Sequence, residues 1–168
     1  MNILDKISYK IIFAMKMLKY TISYGKSFSH GKKFSFRKRF TVNVNNGGKL
    51  VIGNHVFFNN DCSINCKDEI IIGNNCIFGE NVRIYDHNHR FSSYVKPIIE
   101  QGYNVKSVHI GENCWIGSNC VILPGANIQS DSIIGAGCVI SGDIPRGMIV
   151  TSNRELHYKQ RRRNDGSV

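Results

Sequence analysis

Residues 110–140, IGENCWIGSNCVILPGANIQSDSIIGAGCVI, decide how this 168-residue chain folds. Isoleucine falls at positions 110, 116, 122, 128, 134 and 140, each six residues after the last. A helix repeats near 3.6 residues and a half-buried strand every two, so a sustained period of six belongs to a larger repeating coil. The same phase runs upstream through Ile52, Phe58 and Ile64 and again through Ile72, Phe78 and Ile84, with a two-residue insertion near Lys67 to Glu69 between the two runs. Four residues after nine of these anchors stand Val56, Cys62, Cys76, Val82, Cys114, Cys120, Ala126, Ser132 and Cys138, all small. A second inward position beside a large aliphatic requires small residues when the interior is narrow and close-packed. One position earlier stand His55, Asp61, Asn75, Asn81, Asn113, Asn119, Gly125, Asp131 and Gly137, which apart from His55 are the types that best tolerate turns of positive φ. Short strands joined by a turn every six residues wind into a three-sided prism, and the expected fold is an all-β parallel β-helix.

The cysteines follow from this pattern. Five of the six occupy the small interior position, only Cys66 does not, and no C-x-x-C pair is present. The expectation is free buried thiols with no disulfide framework and no metal site, in a reducing cytoplasm.

Charge divides the chain differently. Residues 1–40 carry ten Lys/Arg against Asp5, residues 154–168 add a net +3, and residues 41–153 come to −2 within a formal total of +10. This predicts a basic N-terminal arm over 1–40, a β-helix over 41–153 and a basic tail over 154–168, with an anionic partner meeting the ends rather than the body. Within the arm Ile3, Leu4, Ile7, Ile11, Phe13, Met15, Leu18 and Ile22 recur at roughly helical spacing with lysines between them, predicting an amphipathic helix. Packing on the fold or a sister subunit and adsorption to an anionic membrane face both fit such a helix. The stretch lacks the pattern of a secretory signal or a membrane span.

The hexapeptide phase lapses after Ile84 and returns only at Ile110, so a long excursion loop is expected over 85–107, beginning YDHNHRFSSY. Ordered excursions from a regular scaffold are usually functional, and this one carries His87 and His89 at its root. An imidazole titrates near neutral pH and suits general-base work. Trp115, the single tryptophan, precedes an anchor, so alternation points it outward towards a ligand or a subunit interface.

These runs resemble the hexapeptide-repeat acyltransferases over roughly residues 44–150. The resemblance implies a left-handed coil and a trimeric prism; periodicity alone shows neither. VRIYDHNH is similar, without gaps, to the segment holding the catalytic histidine of galactoside- and maltose-type sugar O-acetyltransferases, and NHRF resembles the NHRM segment of xenobiotic acetyltransferases. Both matches fall on His89, leaving His87 as an alternative or supporting residue. The same reading puts Asn59, in FFNNDCSI, on the acceptor-binding asparagine. It implies acetyl-CoA as donor, with Trp115, Gly117, Ser118, Ala136, Gly137 and Ser141 along its groove. The C-terminal segment departs from the family pattern, with Ser152 where glycine and Arg154 where proline is expected; Arg161, Arg162 and Arg163 could instead meet the phosphates.

The expectation is therefore a cytoplasmic homotrimeric acetyl-CoA-dependent O-acetyltransferase acting on a hydroxyl of a sugar or glycan precursor, with no metal. Peripheral contact with the inner membrane face through the basic helix would accompany it. Two alternatives stand beside it. One is a different acceptor, such as an antibiotic or an amino-sugar amine. The other is a non-enzymatic scaffold that displays its basic arms to nucleic acid or membrane; binding nucleic acid would need those arms to converge on one face, with stacking aromatics such as Tyr20, Tyr24, Phe34 and Phe36.

Overall fold

In the computed structural model, which describes residues 3–45 and 47–152, short strands wind through three parallel sheets of six, six and five strands. The first face runs from Phe28–His30 through Lys49–Ile52, Glu69–Ile72, Val108–Ile110 and Asn127–Ile128 to Asp143–Ile144. The second runs from Ser35–Phe36 through Phe57–Phe58, Ile77–Phe78, Trp115–Ile116 and Ile133–Ile134 to Ile149–Val150. The third holds Thr41–Val44, Ser63–Cys66, Arg83–Tyr85, Val121–Ile122 and Val139–Ile140. The chain visits the faces in that order coil after coil, which makes the body a parallel β-helix, and the solved structures it matches are of the left-handed type.

The hexapeptide rule accounts for the packing. Anchors stack in register, Phe78 on Ile116 and Ile116 on Ile134, and all twelve are buried. The nine small residues behind them are buried too, Ser132 among them, its hydroxyl donating to the carbonyl of Pro145 at 3.1 Å. All nine turn residues adopt positive φ, from 55° at Asn113 to 81° at Gly125, including His55 at 57°. All six cysteines are free and buried.

The coil starts earlier than charge suggested. Phe28–His30, Ser35–Phe36 and Thr41–Val44 form a complete first turn, so the segment assigned to a basic arm over 1–40 divides into a helix, Ile3–Tyr24, and coil from Phe28 onward. Its turns use Lys33 and Arg39 at positive φ, and its interior uses Phe34 and Phe40 where later coils use small residues. Large rings fit there because the helix lies over this end of the prism and closes it. Phe13 meets Phe36 at 4.8 Å between ring centroids, and Tyr20 meets Phe28 edge-on at 5.9 Å. The helix also satisfies carbonyls that no preceding coil can reach: Lys16 Nζ and the Tyr20 hydroxyl donate to Phe40, and the Tyr24 hydroxyl donates to Val42. Tyr20, Phe34 and Phe36 are therefore core rather than a stacking platform for bases, which removes the aromatic half of the nucleic-acid reading.

No helix among the described residues is long and apolar enough to cross a membrane. The basic tail over 154–168, with Arg154, Arg161, Arg162 and Arg163, lies outside the described residues.

Candidate active site

The excursion is an ordered ribbon at its root. His87–His89 pairs antiparallel with Tyr103–Val105, setting His87 opposite Val105 and His89 opposite Tyr103. Alternation puts the two histidines on one side of the strand, and the Tyr103 ring touches both. It lies perpendicular to His87 at 5.3 Å and tilted against His89 at 4.5 Å. Lys67 Nζ sits 3.9 Å from the centre of the same ring. His89 is exposed, whereas the His87 side chain keeps 16% of its accessible surface.

Asp86, which the sequence reading passed over, organises this root. It is fully buried, and its carboxylate accepts the backbone N–H groups of Lys67 at 2.9 Å and Asp68 at 2.7 Å. Those donors belong to the two-residue insertion, so the break in the upstream repeat and the excursion are two sides of one junction. The Asp86 carbonyl also accepts the N–H of Lys106, tying the end of the excursion back to its start. The third partner of the carboxylate is His87 Nδ1, at 2.8 Å from Oδ1. A carboxylate only accepts, so Nδ1 carries the proton and Nε2 is the basic atom of the neutral ring. The visible signal was the acidic residue directly before the first histidine, at the point where the repeat stops.

The remaining expected residues divide between two edges of the prism. Asn59, Gly117, Ser118, Ala136 and Gly137 all lie in turns leading from the second face to the third. The histidines and Ser141 follow strands of the third face, on the next edge. One chain thus does not bring His89 together with Asn59 or with most of the groove residues. Several of these residues also serve the coil itself. Asn59 Oδ1 accepts the N–H of Asn60 at 2.8 Å, and the Ser118 hydroxyl accepts the N–H of Glu80 at 3.1 Å. Gly117 has no room for a side chain, since a Cβ there would lie 2.6 Å from the amide nitrogen of Ala136.

Trp115 points outward and is about half exposed, at 51%. It stands in a column of outward apolar side chains on the second face, in register from Phe57 through Ile77, Trp115 and Ile133 to Ile149. Ala136 is exposed beside this column, and Gly137 borders a cleft of about 320 Å³ with Val139, Val150, Thr151 and Ser152. A thin linear ligand with amide groups fits such an edge, where little side chain keeps it from the backbone. Burial pushes the Cys62 thiol up to about 11 and, helped by the charge of Asp86, the Cys66 thiol up to about 12, whereas the contact with Cys76 lowers the Cys114 thiol, which lies buried at 1% exposure.

Residues 107–142 match the family model described as bacterial transferase hexapeptide (six repeats). Over 106 residues the chain is 37% identical to the galactoside O-acetyltransferase of Lactococcus lactis subsp. lactis (strain IL1403), covering 62% of this chain and 50% of that protein. Among solved structures it resembles a maltose O-acetyltransferase from Clostridium difficile 630, at 28% identity and a TM-score of 0.68, covering 83% of this chain and 71% of that one. It also resembles a galactoside acetyltransferase in complex with coenzyme A, at 26% identity and a TM-score of 0.54, covering 71% and 61% respectively. The chain spans about half the length of the curated relatives it matches. In its repeat and its coil the chain is thus similar to hexapeptide-repeat acetyltransferases.

Proposed function

We propose that the protein transfers an acetyl group from acetyl-CoA to a hydroxyl of a sugar or glycan precursor. The observation that carries this reading is the excursion root, where an ordered ribbon rather than a loose loop presents two histidines against one tyrosine ring. The named sugar O-acetyltransferases among the relatives support the class of acceptor.

Acetyl-CoA supplies an activated acyl carbonyl. Trp115, Ala136, Gly137 and Ser141 would hold it, with Gly117 and Ser118 keeping the adjacent turn in place. His89, exposed and braced by Tyr103, takes the proton of the acceptor hydroxyl as the oxygen attacks the thioester carbon. A backbone N–H along the edge stabilises the negative charge developing on the carbonyl oxygen. As the carbon–sulfur bond breaks, the imidazolium returns the proton to the departing thiolate, and no acyl-enzyme forms.

The separation of the histidine edge from the Asn59 and Gly117 edge within one chain supports a homotrimer, in which the histidine of one prism faces the groove of its neighbour. The apolar column through Trp115 gives such an assembly a surface to bury.

One observation favours a second assignment of the base. His87 Nδ1 is fixed by a buried carboxylate, the arrangement that holds an imidazole in one tautomer with Nε2 ready to accept. Free thiol release from acetyl-CoA, measured with galactosides and other sugars as acceptors, separates the two. Loss of a general base costs about 10²–10⁴-fold in kcat. The expected outcome is that size of loss in His89→Ala and a smaller one in His87→Ala, with donor binding by calorimetry intact in both. The reverse order moves the base to His87. Absence of donor binding by the folded wild-type protein overturns the transferase reading.

A further inference from the structure

We propose that the N-terminal end of the prism docks on an anionic lipid surface through the outward face of its capping helix. The proposal is independent of which acceptor the protein acetylates. The helix is apolar on two opposite sides, which a cap alone does not need. Phe13, Met17, Tyr20 and Tyr24, at spacings of four, three and four, form the side that seats on the first coil. Ile11, Met15, Leu18 and Ile22 repeat the same spacing two residues earlier, about 200° around the axis. They are 55%, 66%, 62% and 74% exposed, and no described part of the chain covers them. Because the first side faces the coil, this second side faces away from it and forms the outer surface of that end.

The charge around the stripe identifies what would cover it. Lys10 and Lys19 flank it and are exposed. Lys26, Lys32, Lys33, Arg37 and Lys38 stand exposed on the connection and first coil beneath. Across residues 6–60 there are eleven lysines and arginines and no aspartate or glutamate. A second copy of this face would bring lysines against lysines. A nucleic acid would neutralise the lysines and leave the apolar stripe in water. A bilayer bearing anionic headgroups satisfies both, taking the apolar side chains at the acyl boundary and the lysines among the headgroups. The helix lies across the prism end, so the coil would stand upright with its last turns furthest from the membrane.

Flotation of the full chain with vesicles of phosphatidylglycerol and phosphatidylcholine, against vesicles of phosphatidylcholine alone, tests this. The wild-type protein should float with the anionic vesicles, should release as salt rises, and should stay behind with the neutral ones. The double variant Leu18→Glu, Ile22→Glu changes only exposed positions. It should keep the wild-type melting temperature and oligomeric mass and lose at least about tenfold in partitioning. Failure of the wild-type protein to float with anionic vesicles, equal capture by neutral vesicles, or undiminished binding by the double variant would each overturn the proposal. A lowered oligomeric mass in the double variant would show that the stripe is a contact between copies, which also overturns it.

Discussion

Asp86 shows how much one buried charge organises here. Its carboxylate gathers two backbone N–H groups from the insertion and one ring N–H from His87, so asparagine, with a single acceptor oxygen and no charge, satisfies fewer of them. Charge-assisted bonds of this kind contribute about 1.5–3 kcal/mol each. Asp86→Asn should therefore lower stability by about 2–3 kcal/mol in denaturant titration. If His87 acts as the base, the variant should also lower kcat in protein that is still fully folded, because the ring is no longer held in one tautomer, and loss of stability alone would not do that. The cysteines make a second prediction at this scale. Buried thiols with raised pKa present little thiolate, so Cys62 and Cys66 should react with an aromatic disulfide reagent only after denaturation, as followed by thiol titration with and without denaturant.

At the scale of the element, the coil depends on backbones lying directly above one another. A methyl at Gly117 would meet backbone atoms of the next coil, the amide nitrogen of Ala136 at 2.6 Å and its Cα at 2.9 Å, and backbone cannot rotate away as a side chain can. Gly117→Ala should thus cost about 3 kcal/mol or more, as overpacking does, read as a lowered unfolding midpoint. Ile116→Ala, which empties one fully buried anchor, should cost about 2–5 kcal/mol. The turns also carry ion pairs between coils. The hydrogen bond and charge of Arg39 hold Asp61 below the usual carboxylate range, and the side chains of Asn113 and Arg146 do the same for Asp131. A depressed folded pKa means that these pairs stabilise fully above the unfolded value near pH 4 and are lost as pH falls through the folded one. Thermal melts at decreasing pH should therefore show stability falling below about pH 4, with the fall reduced in Arg39→Gln.

For the whole molecule, the expected site residues lie on two edges of the prism, so the proposed function makes activity depend on assembly of several chains. His89→Ala and Trp115→Ala chains, mixed and reassembled, should recover activity that neither has alone, because some of the new sites pair an intact histidine with an intact groove. Light scattering on the same samples gives their mass, and activity confined to unmixed wild-type protein would place the site within one chain.

The sequence by itself determined the coil. A period of six in the anchors, small residues behind them and turn-forming residues between them are local requirements that each repeat meets alone, so the pattern shows wherever it is regular. It became illegible where an end effect replaced the rule. In the first coil a helix closes the interior, so phenylalanine takes the place of small residues, and Lys33 and Arg39 take turns that their side chains do not advertise. His87 and His89 were likewise legible as candidates because they stand where the phase stops. Only the tertiary structure brought Asp86 to the insertion, Tyr103 across the ribbon to both histidines, and Asn59 to a different edge from His89. Only it turned one apolar side of the helix inward and left the other exposed. Those relations join residues far apart in the chain through the winding of the coil and the return of the excursion, and a local repeat carries no record of distances that arise only when successive coils stack.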